Sequence, residues 1–168
     1  MKKLVKYFKP YIWQILILVI FTYIQVMANL RLPDYMAKIV NEGIISKDNS
    51  VIYNNGLMML LVTLAGAACA IIVGFLAVKI ATGFAKDIRK KTFEKVESFS
   101  INEFNKFSTS SLITRSTNDI QQIQMVLIML LRLALMAPFM AFGALQKALE
   151  NAPSLSWIIV VAAATMFA

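Results

Sequence analysis

The stretch SINEFNKFSTSSLITRSTNDI, residues 100–120, is a polar segment between two long apolar runs. It contains none of the Gly or Pro residues that usually mark a loop, but it is rich in signals for the start of a helix. Ser100 and Glu103 have the spacing of a capping box, and Phe99 and Phe104 have that of a hydrophobic staple. The pattern predicts that a new, short helix begins directly after Ser100.

This short helix is expected to end near Phe107, because the next four residues, Ser-Thr-Ser-Ser, supply N-caps for a following helix that starts near Ser111. A helix of this length is marginal in water by itself, so a partner should pack on it. Phe104 and Phe107 are three residues apart and share a face, which favours a protein partner with an apolar groove. A simple polar turn between two helices is the alternative.

The rest of the chain is strongly apolar, with 59 % hydrophobic residues, which is typical of a membrane protein. Four apolar runs predict membrane spans, at about residues 11–30, 57–82, 125–149 and 155–168. The last run is shorter than the roughly 20 residues that cross the hydrocarbon, so we expect the chain to be the N-terminal part of a larger membrane domain, truncated in its fourth helix. The first run is too long for the apolar part of a signal peptide and is expected to be a retained helix.

The net charge of +8 is concentrated next to these spans. Four lysines precede the first span, and eight Lys and Arg residues lie between positions 79 and 124. The positive-inside rule therefore predicts a multi-pass protein of the cell membrane whose N-terminus and residues 79–124 are cytoplasmic. Because these cations border membrane spans and lack interleaved aromatic residues, the pattern argues against binding of nucleic acid.

Helical periodicity continues beyond the second span and begins again before the third. One helix over residues 57–98 would be roughly 60 Å long, about twice the hydrocarbon thickness, and should extend into the cytoplasm. Its small residues Gly66, Ala70 and Gly74 predict a face for close packing against another helix, with an ordinary alanine-rich composition as the alternative.

Local breaker signals predict where helices stop. Pro33 should kink or restart the first helix, and the sequences SKDNS at 46–50 and NNG at 54–56 predict turns. A further turn is expected at residues 147–154.

Three polar residues inside the apolar runs are candidates for a functional role. Arg132 either faces a cavity or a partner within the membrane or extends its side chain to the interface, and both readings stay open. Gln25 and Asn29 are four residues apart and could line a substrate path or form hydrogen bonds between helices.

Metal and catalytic chemistry have few candidate residues in this sequence. The chain has no His and a single cysteine, Cys69, which excludes Cys/His zinc sites, Ser-His-Asp or Cys-His catalysis and a disulfide within one chain. It also lacks the G-x-x-x-x-G-K-[ST] motif that holds ATP phosphates. We therefore predict no catalytic residue, metal ligand or cofactor within this chain, and the chain alone should not hydrolyse ATP.

Three segments resemble ABC exporters, and the likeness covers essentially the whole chain. They are LPDYMAKIVNEGI at 32–44, NEFNKFSTSSLITRSTNDIQQIQ at 102–124 and RLALMAPFMAFGALQKAL at 132–149. The closest likeness is to the bacterial multidrug type, which often works as a heterodimer. The wider family usually has Gly where this chain has Ser110.

The resemblance implies an all-α membrane protein in which long transmembrane helices extend into the cytoplasm. It implies that each subunit has six membrane helices and a nucleotide-binding ATPase domain, which holds ATP and Mg, and that two subunits pair as a homodimer or heterodimer. ATP-driven alternating access would then export amphipathic or drug-like molecules. The resemblance places a coupling helix, which docks on the ATPase domain, at Asn102, Glu103, Phe104, Asn105, Lys106 and Phe107. The family motif that follows falls on Thr109, Ser111, Leu112, Arg115 and Asp119.

A different class of function is also compatible with the residues. The chain could be a membrane interaction or regulatory fragment that pairs with a full transporter subunit and moves no substrate itself. An ion-driven small multidrug carrier is disfavoured, because such a carrier would need an acidic residue within a span and none of the nine carboxylates lies there.

Overall fold

The computed structural model describes residues 6–101 and 108–151, and all of its regular elements are helical. In chain order, they are a 3₁₀ turn Lys6–Tyr11, α1 Ile12–Lys38, a π-helical turn Ile39–Ile44, α2 Asn49–Glu97, α3 Thr109–Thr114, a second π-helical turn Arg115–Asp119, and α4 Ile120–Asn151. No strand occurs in these residues, and the predicted all-α class is confirmed. The predicted short helix at 102–107 and the fourth apolar run at 155–168 lie outside the described residues.

Within residues 6–101 and 108–151, three helical segments are long and apolar enough to cross a membrane: Phe8–Ile44, Asn49–Glu97 and Ser110–Leu149. They make this a multi-pass membrane protein. With 49 residues, α2 is about 74 Å long, more than twice the thickness of the hydrocarbon. The expectation of a helix that extends well beyond the bilayer is therefore confirmed for α2, and this helix is longer than predicted.

Two of the predicted turns are wrong for the described residues, and the helix does not restart at Pro33. The NNG sequence lies inside α2, where the Asn55 side-chain amide donates to the carbonyl of Val51 at 2.9 Å. Helix α1 continues through Pro33, which removes one backbone donor but leaves the rest of the turn intact. Residues 147–151 belong to α4. In each case the long apolar helix around the breaker outweighs a local preference of about 1 to 3 kcal/mol.

A tight connection joins α1 to α2. Lys47 adopts a positive φ of 55°, the left-handed conformation that often ends a helix. Asp48 then caps α2 by accepting a hydrogen bond from the Ser50 amide at 2.9 Å. Donation from the Ser50 hydroxyl, and then from its amide, lowers the pKa of the exposed Asp48 carboxyl. The predicted turn at SKDNS is confirmed for its first three residues.

The contacts divide the chain into two units, of which the first comprises the described parts of residues 1–19 and 72–134. Its buried side chains come mainly from one face of α2 and are Leu18, Val73, Ala77, Ile80, Ala81, Phe84, Ala85 and Ile120. Gly74, predicted to pack closely, is not part of this face, since no described atom lies within 4 Å of a Cβ built there.

The second unit comprises residues 20–71 and the described part of 135–168. Thr22, Val26, Gly66 and Cys69 are buried in it, whereas Ala70 is only partly covered. A Cβ built on Gly66 would lie 3.4 Å from the Ala28 Cβ, so this glycine does bring α1 and α2 close together. Tyr23 of α1 and Phe139 of α4 pack edge to face with ring centroids 5.7 Å apart.

Candidate functional site

Helix α2 ends one residue before the predicted position, at Glu97. The Ser98 amide donates to the Glu94 carbonyl at 3.2 Å, and the Ser98 hydroxyl donates to the Lys95 carbonyl at 2.8 Å. The chain is not helical at Phe99 and Ser100 and becomes helical at Ile101. A new helix starting directly after Ser100 was predicted, but its capping partner Glu103 lies outside the described residues.

The next helix begins with a side-chain cap, as predicted from the Ser-Thr-Ser-Ser sequence. Ser108 has an extended backbone, with φ −70° and ψ 142°, and its hydroxyl oxygen accepts from the Ser111 amide at 3.2 Å. This geometry satisfies one of the free donors at the start of α3. The helix therefore starts at Thr109, two residues before the predicted position.

In the first helical turns after this cap, side-chain hydroxyl groups donate hydrogen bonds to backbone carbonyls of the preceding turn. Thr114 donates to the Ser110 carbonyl at 3.0 Å, Ser116 to the Leu112 carbonyl at 2.8 Å, and Thr117 to the Ile113 carbonyl at 2.7 Å. Such bonds to the preceding turn compete with the regular helical ladder and bend helices.

The π-helical turn Arg115–Asp119 lies within this hydroxyl-rich region. Turns of this type inside α-helices are often found at functional sites. The sequence prediction missed the turn, although the dense run of Ser and Thr from 108 to 117 was a signal for a perturbed helix.

The structure places the five family-motif residues in α3 and in the π-helical turn that follows it. Ser111 is fixed by the Ser108 cap, Leu112 is partly covered and receives the Ser116 bond, and Arg115 and Asp119 are exposed at the two ends of the π-helical turn. Thr109 is the first residue of α3. The motif residues therefore lie within one continuous helical segment, from the start of α3 to the end of the π-helical turn.

Asp119 also lines an open groove within the first unit, with a volume of about 560 Å³. The other lining residues are Phe8, Phe84, Gln122, Ile123, Val126, Leu127 and Leu130. Phe8 stacks on Phe84 at the groove, with ring centroids 4.8 Å apart and the planes inclined by 25°. Ile123, Leu127 and Leu130 of α4 thus form an apolar wall of this groove.

The N-terminal 3₁₀ turn is held against α2 by Tyr11. Its hydroxyl donates to the Asp87 carboxylate at 3.4 Å, and its ring lies over Gly83. A Cβ on Gly83 would lie only 2.7 Å from the Tyr11 Cζ atom. Glycine at this position therefore allows the ring to approach the helix backbone.

The three candidate polar residues belong to two different units. Gln25 and Asn29 lie on consecutive turns of α1 in the second unit, where the Asn29 side-chain oxygen is 3.9 Å from a Cβ built on Gly66. Arg132 belongs to the first unit and is exposed. The alternatives for each of them stay predictions.

A further polar contact was missed by the sequence analysis. The Lys147 ammonium group of α4 donates to both the Asp34 carboxylate and the Leu30 carbonyl of α1. This contact lies beside a gap in the helical hydrogen bonds of α1, since Pro33 has no N–H to donate to the Asn29 carbonyl. The pair joins residues 113 positions apart, so no local pattern could reveal it.

Catalytic and metal chemistry has no cluster in the described residues. No group of three or more His, Cys, Asp or Glu side chains comes together there, and Cys69 is a buried free thiol.

The comparison with known families decides the identity of this arrangement. Residues 15–168 match the family described as the ABC transporter transmembrane region. The chain belongs to this family. Its long helices, which run beyond the length of a bilayer, are the transmembrane region of an ABC transporter.

Two relatives are similar over nearly the whole chain. An uncharacterized ABC transporter ATP-binding protein of Mycobacterium tuberculosis is 32 % identical over 156 residues, which is 93 % of this chain and 27 % of that protein. The uncharacterized ABC transporter ATP-binding protein YfiB of Bacillus subtilis is 34 % identical over 161 residues, which is 96 % of this chain and 28 % of that protein. The chain thus spans just over a quarter of the length of these relatives.

Proposed function

We propose that this ABC transporter region belongs to an ATP-driven exporter, and that residues 102–107 couple it to a nucleotide-binding ATPase domain. The observation that carries the proposal is the position of this segment. It joins two helices, α2 and the α3–α4 segment, that belong to the matched family and are longer than a membrane is thick. A short connector at the end of such a hairpin is suited to transmit motion.

In this proposal the N-terminus and residues 79–124 are cytoplasmic. The basic residues of this region support that orientation through the positive-inside rule. The names of the relatives describe ATP-binding proteins, which supports an ATPase partner domain that carries ATP and Mg. The Ser108 cap and the π-helical turn then lie directly beside the coupling segment, where a bend in the helix can absorb its movement.

The proposed cargo is an amphipathic or drug-like molecule that passes by alternating access between two paired subunits. Gln25, Asn29 and Arg132 are the polar side chains that we propose for the substrate path, since intramembrane polar groups usually face a cavity or a partner. The apolar surroundings of these residues suit an amphipathic cargo better than a fully polar one.

The coupling role is tested with Phe104→Asp in the full-length transporter reconstituted into proteoliposomes. A carboxylate in an apolar docking groove is costly, so ATP-driven transport should fall at least tenfold while membrane insertion stays normal. The matched control is Ile45→Asp, in the α1–α2 connection, where the side chain is 71 % exposed and an added charge meets water. Normal transport by Phe104→Asp would remove the coupling role from this segment.

A further inference from the structure

We propose that the outward face of α2 binds the headgroups of anionic phospholipids next to the end of the second span. This inference rests on the proposed cytoplasmic position of residues 79–124. The face is formed by Phe75, Lys79, Lys86, Arg89, Lys90 and Phe93, which recur at spacings of three, four and seven residues. We call these six residues the basic face.

The basic face lies opposite the packed face of α2. The packed face uses Val73, Ala77 and Ile80, all at most 5 % exposed. By contrast, the two phenylalanines of the basic face are 66 % and 60 % exposed. Its lysines and its arginine are also exposed. The face therefore contributes little to the core of its own unit.

A shallow groove of about 490 Å³ lies on this face. It is lined by Lys86, Arg89, Lys90, Phe93 and Glu94, so three cations surround one carboxylate. Glu94 neutralises little of this charge, because its contact with Lys90 is 3.9 Å long and both side chains are more than half exposed. The groove keeps a positive field that suits a phosphate group.

The direction of the helix favours a lipid as the source of that phosphate. Side chains of an α-helix tilt toward its N-terminus, and α2 enters this region from the membrane. With the span ending at residue 82, Lys86 lies about 6 Å and Lys90 about 12 Å beyond the hydrocarbon. Their side chains point back toward the headgroup layer, which is roughly 5 to 8 Å thick on each side.

The face is also continuous with the membrane span. Lys79 lies 6.0 Å above the Phe75 ring, which combines a cation with an apolar surface at the membrane boundary. An anionic lipid could thus place its chains beside Phe75 and its phosphate among Lys79, Lys86 and Lys90. Clusters of cations directly beside a span are the usual pattern for such lipids.

The test measures retention of phosphatidylglycerol and phosphatidylcholine by the detergent-purified full-length transporter, using native mass spectrometry. The variant is Lys86→Gln, Arg89→Gln, Lys90→Gln. Each cation near an anionic surface increases lipid affinity about fivefold. The affinity of the triple variant for phosphatidylglycerol should therefore fall about a hundredfold, whereas its affinity for phosphatidylcholine should change little. Raising the ionic strength from about 0.1 M to 1 M should also reduce the retention of phosphatidylglycerol by the unmodified protein.

The matched control removes the same charge elsewhere, with Lys38→Gln, Lys91→Gln, Lys95→Gln, and should retain phosphatidylglycerol normally. The charge-conserving variant Lys86→Arg, Arg89→Lys, Lys90→Arg should also retain it, which separates loss of charge from misfolding. Equal lipid retention by the two Gln variants would overturn the proposal. If the Lys86→Gln, Arg89→Gln, Lys90→Gln variant retains phosphatidylglycerol normally but its ATPase domain no longer docks, the proposal is overturned, and the basic face instead binds an acidic protein surface. Normal transport in Phe104→Asp, with phosphatidylglycerol retention that depends on the basic face, would count against the coupling role alone.

Discussion

The two glycines that flank the predicted second span should respond to the same substitution with opposite signs. Gly56 and Gly83 both lie inside α2 and just outside residues 57–82. A Cβ built on Gly56 meets no described atom within 4 Å, whereas one on Gly83 lies 2.7 Å from the Tyr11 Cζ atom. Alanine is therefore accommodated at the first position and collides with an aromatic ring at the second.

The size of the two effects follows from opposing contributions. Replacing Gly by Ala inside a helix increases the free energy of unfolding by about 1 kcal/mol, and this gain applies at both positions. At Gly83 the ring of Tyr11 must move, which costs about 1 kcal/mol for its hydrogen bond to Asp87 and about 1 kcal/mol or more for overpacking. Gly83→Ala should thus be destabilising by about 1 kcal/mol, roughly 2 kcal/mol below Gly56→Ala.

The assay is equilibrium unfolding in mixed micelles, followed by far-UV circular dichroism. A double-mutant cycle isolates the contact, because in a Tyr11→Ala background Gly83→Ala should become as stabilising as Gly56→Ala. If Gly83→Ala stabilises the unmodified protein as much as Gly56→Ala does, the packing of the N-terminal turn on α2 is wrong.

Two further predictions concern the polar contacts of the second unit. Lys147→Met and Asp34→Asn should each destabilise the protein. A double-mutant cycle should give a coupling energy of about 1 kcal/mol, because partial exposure of both side chains weakens the ion pair. Strictly additive changes in the free energy of unfolding would contradict this contact. At the start of α2, Asp48→Ala should speed amide exchange in the first turn, whereas Asp48→Asn should retain the cap. Because the pKa of Asp48 is below its ordinary 3.8 in the folded protein, its contribution is complete above that pH and is lost as the pH falls further. In Asp48→Asn, amide exchange corrected for the intrinsic rate should not change over this pH range. If exchange in the unmodified protein and in Asp48→Asn changes equally as the pH falls, Asp48 is not the cap of α2.

Much of the candidate site could be predicted from its local residues. The Ser108 cap needs only a hydroxyl residue before a helix and a free amide three residues later, and both belong to one short segment. The end of α2 near Ser98 was predicted for a similar reason, because the staple and capping signals start there. The π-helical turn at Arg115–Asp119 was not predicted, since its cost depends on how the Ser116 and Thr117 hydroxyl groups share the Ile113 carbonyl.

The breaker residues show where local rules fail. Gly56 and Pro33 each disfavour a helix, yet both lie inside one. Both residues lie just outside a predicted span, and the long apolar helix beside each of them outweighs its local preference of about 1 to 3 kcal/mol. Within the spans themselves an interrupted helix would expose unpaired backbone groups to hydrocarbon, which made the long helices easy to predict.

The sequence by itself determined the membrane class, the helical segments and the family, because hydropathy and motif spacing depend only on the order of residues along the chain. Only the tertiary structure decided which face of α2 is buried, with Val73 and Ala77 inside and Gly74 outside. The physical reason is that lipid is as apolar as the protein interior, so an apolar helix carries no amphipathic pattern to mark its packed face. The Lys147–Asp34 pair depended on tertiary structure in the same way, because it forms only when helices far apart in sequence meet.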